Sequence, residues 1–153
     1  MDTEKTITVL SALIKINNDR IEGYQAALKE MEDKDLKNLF SEFIKTSRYF
    51  KSELVSEVHN MGGIQTEGNK TSGKIFNVWM DVKVALLSED RNAMLSSCEE
   101  AEDSFLETYH NVLIKDLVDI NSDQHAIISE QHHIIKTDND KLKNMREMVP
   151  ELS

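Results

Sequence analysis

Large apolar side chains in the first thirty residues fall at Leu10, Leu13, Ile14, Ile21, Tyr24 and Leu28, steps of three, four and seven that place them on one side of an α-helix. Leu39, Phe43, Phe50 and Leu54 repeat the pattern, and the polar stretch "EDKD" at 32–35 separates the two runs as a tight turn. The pattern predicts helices over about 3–31 and 34–61, a helical hairpin. A second pair follows: Leu95, Cys98, Leu106, Tyr109 and Leu113 form a stripe over about 89–118, with Ser88 as N-cap. Ile127, Ile135, Asp138, Leu142 and Met145 form another over about 121–148, starting at Asn121 or Ser122. Between the pairs lies "MGGIQTEGNKTSG", which holds four of the five glycines, and then "GKIFNVWMDVKVALL", a short helix over 74–87 that is apolar nearly all round. The lone proline, Pro150, follows the last periodic segment. Each long helix has some 27 residues, roughly 40 Å at 1.5 Å per residue, so the fold expected is an all-α four-helix bundle. It is made of two hairpins joined by a long crossover that carries the short fifth helix, all in one domain over 1–153.

Composition agrees with that architecture and narrows the partners. A chain of 153 residues with 39% hydrophobic and 30% charged residues supports one core. Acidic residues outnumber basic ones 28 to 18, giving a net charge of −10 with no Lys/Arg cluster. Such a surface repels phosphate backbones and anionic lipid, so nucleic acid and membrane are excluded as expected partners. No run approaches the eighteen apolar residues of a membrane span, "MDTEKTITVL" lacks the features of a signal peptide, and the single Cys98 forms no internal disulfide. A cytoplasmic location is the expectation.

A long crossover between two helical hairpins is the ferritin-like arrangement, in which the second and third long helices run parallel. The chain also resembles a family of small bacterial ferritin-like four-helix-bundle proteins defined only as a domain of unknown function. The resemblance rests on "NNDRIEGYQAAL" in the first helix, "SELVSEVHNMGG" closing the second, "GKIFNVWMDVKVAL" in the crossover and "CEEAED" in the third long helix. It implies the fold and supplies no mechanism. Members often carry a His-Asp pair late in the last helix where this chain has Asn139-Asp140, so a role attached to that histidine does not transfer.

Two Glu-x-x-His motifs, "ETYH" at 107–110 and "EQHH" at 130–133, raise the possibility of a di-iron centre, which needs such a motif on two helices and a Glu on each of the others, all facing inward. Helical geometry tests this directly. With Gln131 in the centre of the last stripe, Glu130 falls at about −100° and His133 near 200°. With Glu102 as origin in the preceding helix, Glu107 lies near 140° and His110 near 80°. Both motifs face away from the core, and an intact di-iron site is not expected. A displaced metal site is the alternative; its candidate ligands are Glu53, Glu57, Glu99, Glu102 and His110, and iron or another divalent metal would be its cofactor.

The polar residues that do face inward are Asn17, Ser47, Glu102 and Gln131, which antiparallel pairing brings to one level in mid-bundle. Arg20, one turn from Asn17, is the expected partner of Glu102, since a buried carboxylate must be paired, hydrogen-bonded or protonated. Asp138 falls near the level of Tyr24, where a Tyr–carboxylate hydrogen bond is expected. Cys98, on a core stripe beside acidic residues, reads as an inert thiol. The crossover helix, apolar on two sides with Phe76 and Trp79 prominent, predicts burial against the bundle on one side and a homo-oligomer contact on the other. The function expected is a non-enzymatic scaffold, structural or interaction-based and by fold analogy stress-associated, without a cofactor.

Overall fold

The computed structural model describes residues 2–64 and 73–147. These form five α-helices: α1 (Thr3–Glu30), α2 (Lys34–Asn60), α3 (Gly73–Leu87), α4 (Arg91–Lys115) and α5 (Ser122–Glu147), with a 3₁₀ turn at Leu117–Asp119 before α5. No strand occurs among the described residues, and no described helix is long and apolar enough to cross a membrane. Gly68 and the polar residues at 65–72 of the crossover, and Pro150, lie outside the described residues.

Local chemistry sets the helix ends. Asp2, Asp33 and Asp90 each turn a carboxylate back onto the free amides of the first turn of α1, α2 and α4. α5 opens with a reciprocal box: Asn121 Oδ1 accepts from the Gln124 amide at 2.8 Å, and Gln124 Oε1 accepts from the Asn121 amide at 3.0 Å. α2 stops where Gly62 takes φ 75°, with the Gly63 amide reaching back to Val58 and the Gly62 amide to His59. α3 ends in the same way without a glycine. Glu89 takes φ 56°, and the Asp90 and Glu89 amides bond the carbonyls of Ala85 and Leu86. This overturns Ser88 as the N-cap of α4, because residues 88 and 89 close α3 and the cap passes to Asp90. α4 is also shorter than its apolar stripe predicts. Its last turn is replaced by the 3₁₀ turn, whose Asp119 carbonyl accepts a hydrogen bond from Thr6 Oγ1 at the start of α1.

Helix directions follow from cross-chain pairs. Asn17 meets Tyr109 and Arg20 meets Glu102, so α1 and α4 run antiparallel. Ser47 and Asp138 share one partner and Glu53 meets Gln131, so α2 and α5 are antiparallel too. Since α1 and α2 form a hairpin, α2 and α4 run in the same direction. The core lies in two main apolar clusters. One gathers Tyr24, Phe40, Phe43, Met94, Leu95 and Leu142; the other gathers Leu10, Leu13, Phe50, Leu54, Tyr109 and Ile128. The buried polar residues of mid-bundle lie between them.

α3 lies against α4 and α1, with Ile75 and Val78 packed on Ala101 and Phe105. Trp79 presses onto Gly23 in the middle of α1: a Cβ built there would stand 2.0 Å from the indole. A mid-helix glycine costs about 1 kcal/mol relative to alanine, and here the missing side chain is what admits the crossover helix. The indole also meets the Tyr24 ring edge-on at 5.1 Å between centroids.

Candidate functional site: a buried arginine joining four helices

Arg20 is fully buried, and its guanidinium takes a partner from each of the other three long helices. Nε lies 3.1 and 3.2 Å from the two Glu102 oxygens of α4; Nη2 donates to Glu102 Oε1 at 2.8 Å and to Asp138 Oδ2 of α5 at 2.9 Å; Nη1 donates to Ser47 Oγ of α2 at 3.0 Å. The fork-on-carboxylate geometry with Glu102 is the strong form of this contact. Apolar faces enclose it, with Cζ 4.9 Å from the Phe43 ring centroid and 5.9 Å from that of Tyr24.

A second tier sits one helical turn away and again draws on all four helices. Asn17 Nδ2 donates to the Leu13 carbonyl at 2.9 Å and to Tyr109 Oη at 2.8 Å; Tyr109 Oη donates to Gln131 Oε1 at 2.7 Å. Gln131 Nε2 then donates to the Phe50 carbonyl at 3.3 Å and to Glu53 Oε1 at 3.2 Å. The single layer expected from the sequence is therefore two tiers, because residues three apart on a helix differ in height by most of a turn. Arg20, Ser47 and Glu102 occupy one tier, and Asn17 and Gln131 the other.

Electrostatics follow from burial. Desolvation works against the charge on Arg20, but the charge and hydrogen bonds of Glu102, with the charge of Asp138, outweigh it, so the guanidinium stays protonated well above its ordinary value. Burial pushes the Glu102 carboxyl upward, and Arg20 opposes that shift without cancelling it. The centre carries one cation against two carboxylates, and the Lys141 amine, 4.0 Å from Asp138, supplies a half-exposed second cation. Asp138 thus bonds Arg20 and not Tyr24, contrary to the sequence expectation. The Tyr24 hydroxyl is buried without a regular hydrogen bond, its pKa raised by burial and by the neighbouring Glu102 charge. Asn17 Oδ1, Asn139 Oδ1 and Trp79 Nε1 are likewise unpartnered.

The displaced-site candidates do not converge. Glu53 accepts from Gln131, Glu99 pairs with Arg146, Glu102 is held by Arg20, and Glu57 is half-buried on α2. His110 is exposed with its ring 6.4 Å from that of His132, whose pKa is lowered by burial and then by the nearby positive charges of His110 and Lys136. Among the described residues no group of three or more His, Cys, Asp and Glu side chains is placed to hold a metal ion. Glu107, Glu130 and His133 are exposed. Cys98 is fully buried and its thiol pKa is raised by burial, Glu102 and Glu99, the opposite of an activated nucleophile.

Three participants carried sequence signals that a polar-residue search passes over. Tyr109 sat among core apolar positions, where a buried phenol needs a partner. Asp138 sat on the last core stripe, and Gly23 interrupted an otherwise uniform helix. Of the two crossover aromatics, Trp79 turns inward onto Gly23 while Phe76 is 58% exposed, so the outward face is carried by Phe76 and its helical neighbours.

The structure defines an all-helical bundle whose centre is closed around an arginine–carboxylate network. A comparison with known families matches residues 5–115 to the domain of unknown function DUF2383, and the chain belongs to that family. Comparison with curated proteins finds no match.

Proposed function

We propose that this protein is a non-enzymatic, ferritin-like helical scaffold of structural or interaction role, in which a built-in cation stands where related architectures hold metal, and which associates with copies of itself through α3. The observation that carries the first part is the position of the Arg20 guanidinium. It binds Glu102 and Asp138 at 2.8 and 2.9 Å, in a centre where Arg20, Ser47 and Glu102 are all fully buried. A divalent ion at that point would have to displace a guanidinium that already bridges the two carboxylates, and would leave a buried arginine without its partners.

Self-association is supported by α3. Phe76, Met80, Val84 and Leu87 are 58%, 44%, 59% and 64% exposed and fall on one helical stripe opposite buried Ile75, Val78, Val82 and Ala85. Residues 73–87 carry two lysines and one aspartate in a chain of net charge −10, so two acidic copies can meet along this helix without adding to their repulsion. A cytoplasmic setting accords with the single, inert cysteine.

The experiment for the centre is elemental analysis of protein purified without chelator, before and after incubation with iron, manganese and zinc. Metal well below one equivalent per chain supports the scaffold reading. Stoichiometric metal that is lost in Glu102→Gln would replace it with the metal-dependent alternative.

A further inference from the structure

The exposed stripe on α3 reads nearly the same in both directions. Its steps from Phe76 through Met80 and Val84 to Leu87 are four, four and three residues, so a second copy laid antiparallel sets Phe76 against Leu87 and Met80 against Val84. Apolar contact alone does not choose a direction, since a parallel pair would also match large side chain to large side chain. Charge does. The C-terminal end of α3 opens on a recess of about 390 Å³, rimmed by Glu30, Glu32, Asp33, Glu89 and Asp90 with Arg91 as its one base. Arg91 is already paired with Asp33.

A parallel pair would bring both sets of five carboxylates together. An antiparallel pair separates them by the length of α3, 15 residues or about 20 Å, twice the screening length at ordinary ionic strength. It also brings each acidic rim toward the end of the partner's α3 where the helix dipole is positive. A second recess of about 260 Å³ runs between α1 and α3, lined by Ala26, Phe76, Trp79, Met80 and Leu86. It shares Glu30 and Leu86 with the first, and Lys29 and Lys83 line it as well.

From this palindromic stripe and the one-ended acidic rim we infer that two copies of the chain pair through α3 about a two-fold axis, with the helices antiparallel and centred between Met80 and Val84. The inference rests on the self-association proposed above and specifies its geometry.

Directed disulfide formation tests both, because Cys98, the native thiol, is fully buried and takes no part. Phe76→Cys and Leu87→Cys replace exposed side chains, so each variant retains the fold. After light scattering of the unmodified protein, the two variants are oxidised separately and as a mixture. Antiparallel pairing yields linked dimers in the mixture and almost none from either variant alone, since like positions then lie about 16–18 Å apart along the helix. Efficient linkage of Phe76→Cys to itself would overturn the direction in favour of a parallel pair. An oligomer that links in neither condition would overturn α3 as the seam. A monomer at millimolar concentration would instead refute self-association itself.

Discussion

Arg20 and Glu102 form a fully buried ion pair at the centre of the bundle. Removing the guanidinium in Arg20→Met leaves Glu102 and Asp138 buried without their cation, so the expected loss is about 3–5 kcal/mol in urea unfolding. Glu102→Gln keeps the shape, and Asp138 still holds Arg20, so its cost should be about 1–3 kcal/mol. The double variant should lose less than the two singles combined, by at least about 1 kcal/mol, because Arg20→Met strands the Glu102 charge that Glu102→Gln removes. Strict additivity would mean that the pair does not hold together in solution. The partnership of Arg20 and Glu102 was readable because Glu102 points inward by helical phase, a buried carboxylate needs a partner, and Arg20 at the edge of the first stripe lies at a height that antiparallel packing brings close. The Asp138 contact was not. Its phase was plain, but whether a carboxylate at that height turns to Tyr24 or to Arg20 depends on side-chain reach across the bundle.

At the level of elements, the seat of α3 on α1 is the contact most sensitive to a single atom. Gly23→Ala gains helix propensity, yet its methyl would stand 2.0 Å from the indole of Trp79, so α3 must move or the ring must leave its place. The variant should be destabilised by about 1–3 kcal/mol despite the better helix former. Trp79→Ala should cost about 3–5 kcal/mol by emptying that seat, and adding Gly23→Ala to it should then cost nothing or restore a few tenths. Equal effects of Gly23→Ala with and without Trp79 would refute the seat. Helix existence was legible throughout, because stripes spaced by three and four residues leave little choice of element. Helix ends were less so. Ser88 looked like a cap, but a left-handed residue at Glu89 lets α3 close on itself first, and a serine's capping ability says nothing about which helix claims the residue.

For the whole molecule, the expected consequence of the α3 face is a self-association that a charge abolishes without touching the fold. Met80→Asp places a carboxylate on the middle of the exposed stripe, 44% exposed and away from the core. It should lower the mass in light scattering to that of one chain and remove any concentration dependence of the melting temperature, while the far-ultraviolet circular dichroism stays unchanged. Unchanged mass would assign association to another surface.

The sequence by itself determined the five helical segments, the hairpin–crossover–hairpin order, the outward phase of both Glu-x-x-His motifs and the inward phase of Glu102, with Arg20 at the edge of the first apolar stripe. All of these depend on the period of the helix and on turn chemistry, which are local. The tertiary structure alone decided that the polar layer is two tiers, that Asp138 and Tyr109 belong to them, and that Trp79 faces inward while Phe76 faces out. Those outcomes turn on heights and rotations between helices distant in the chain, where a shift of one residue moves a side chain by 1.5 Å and 100°, enough to exchange one partner for another.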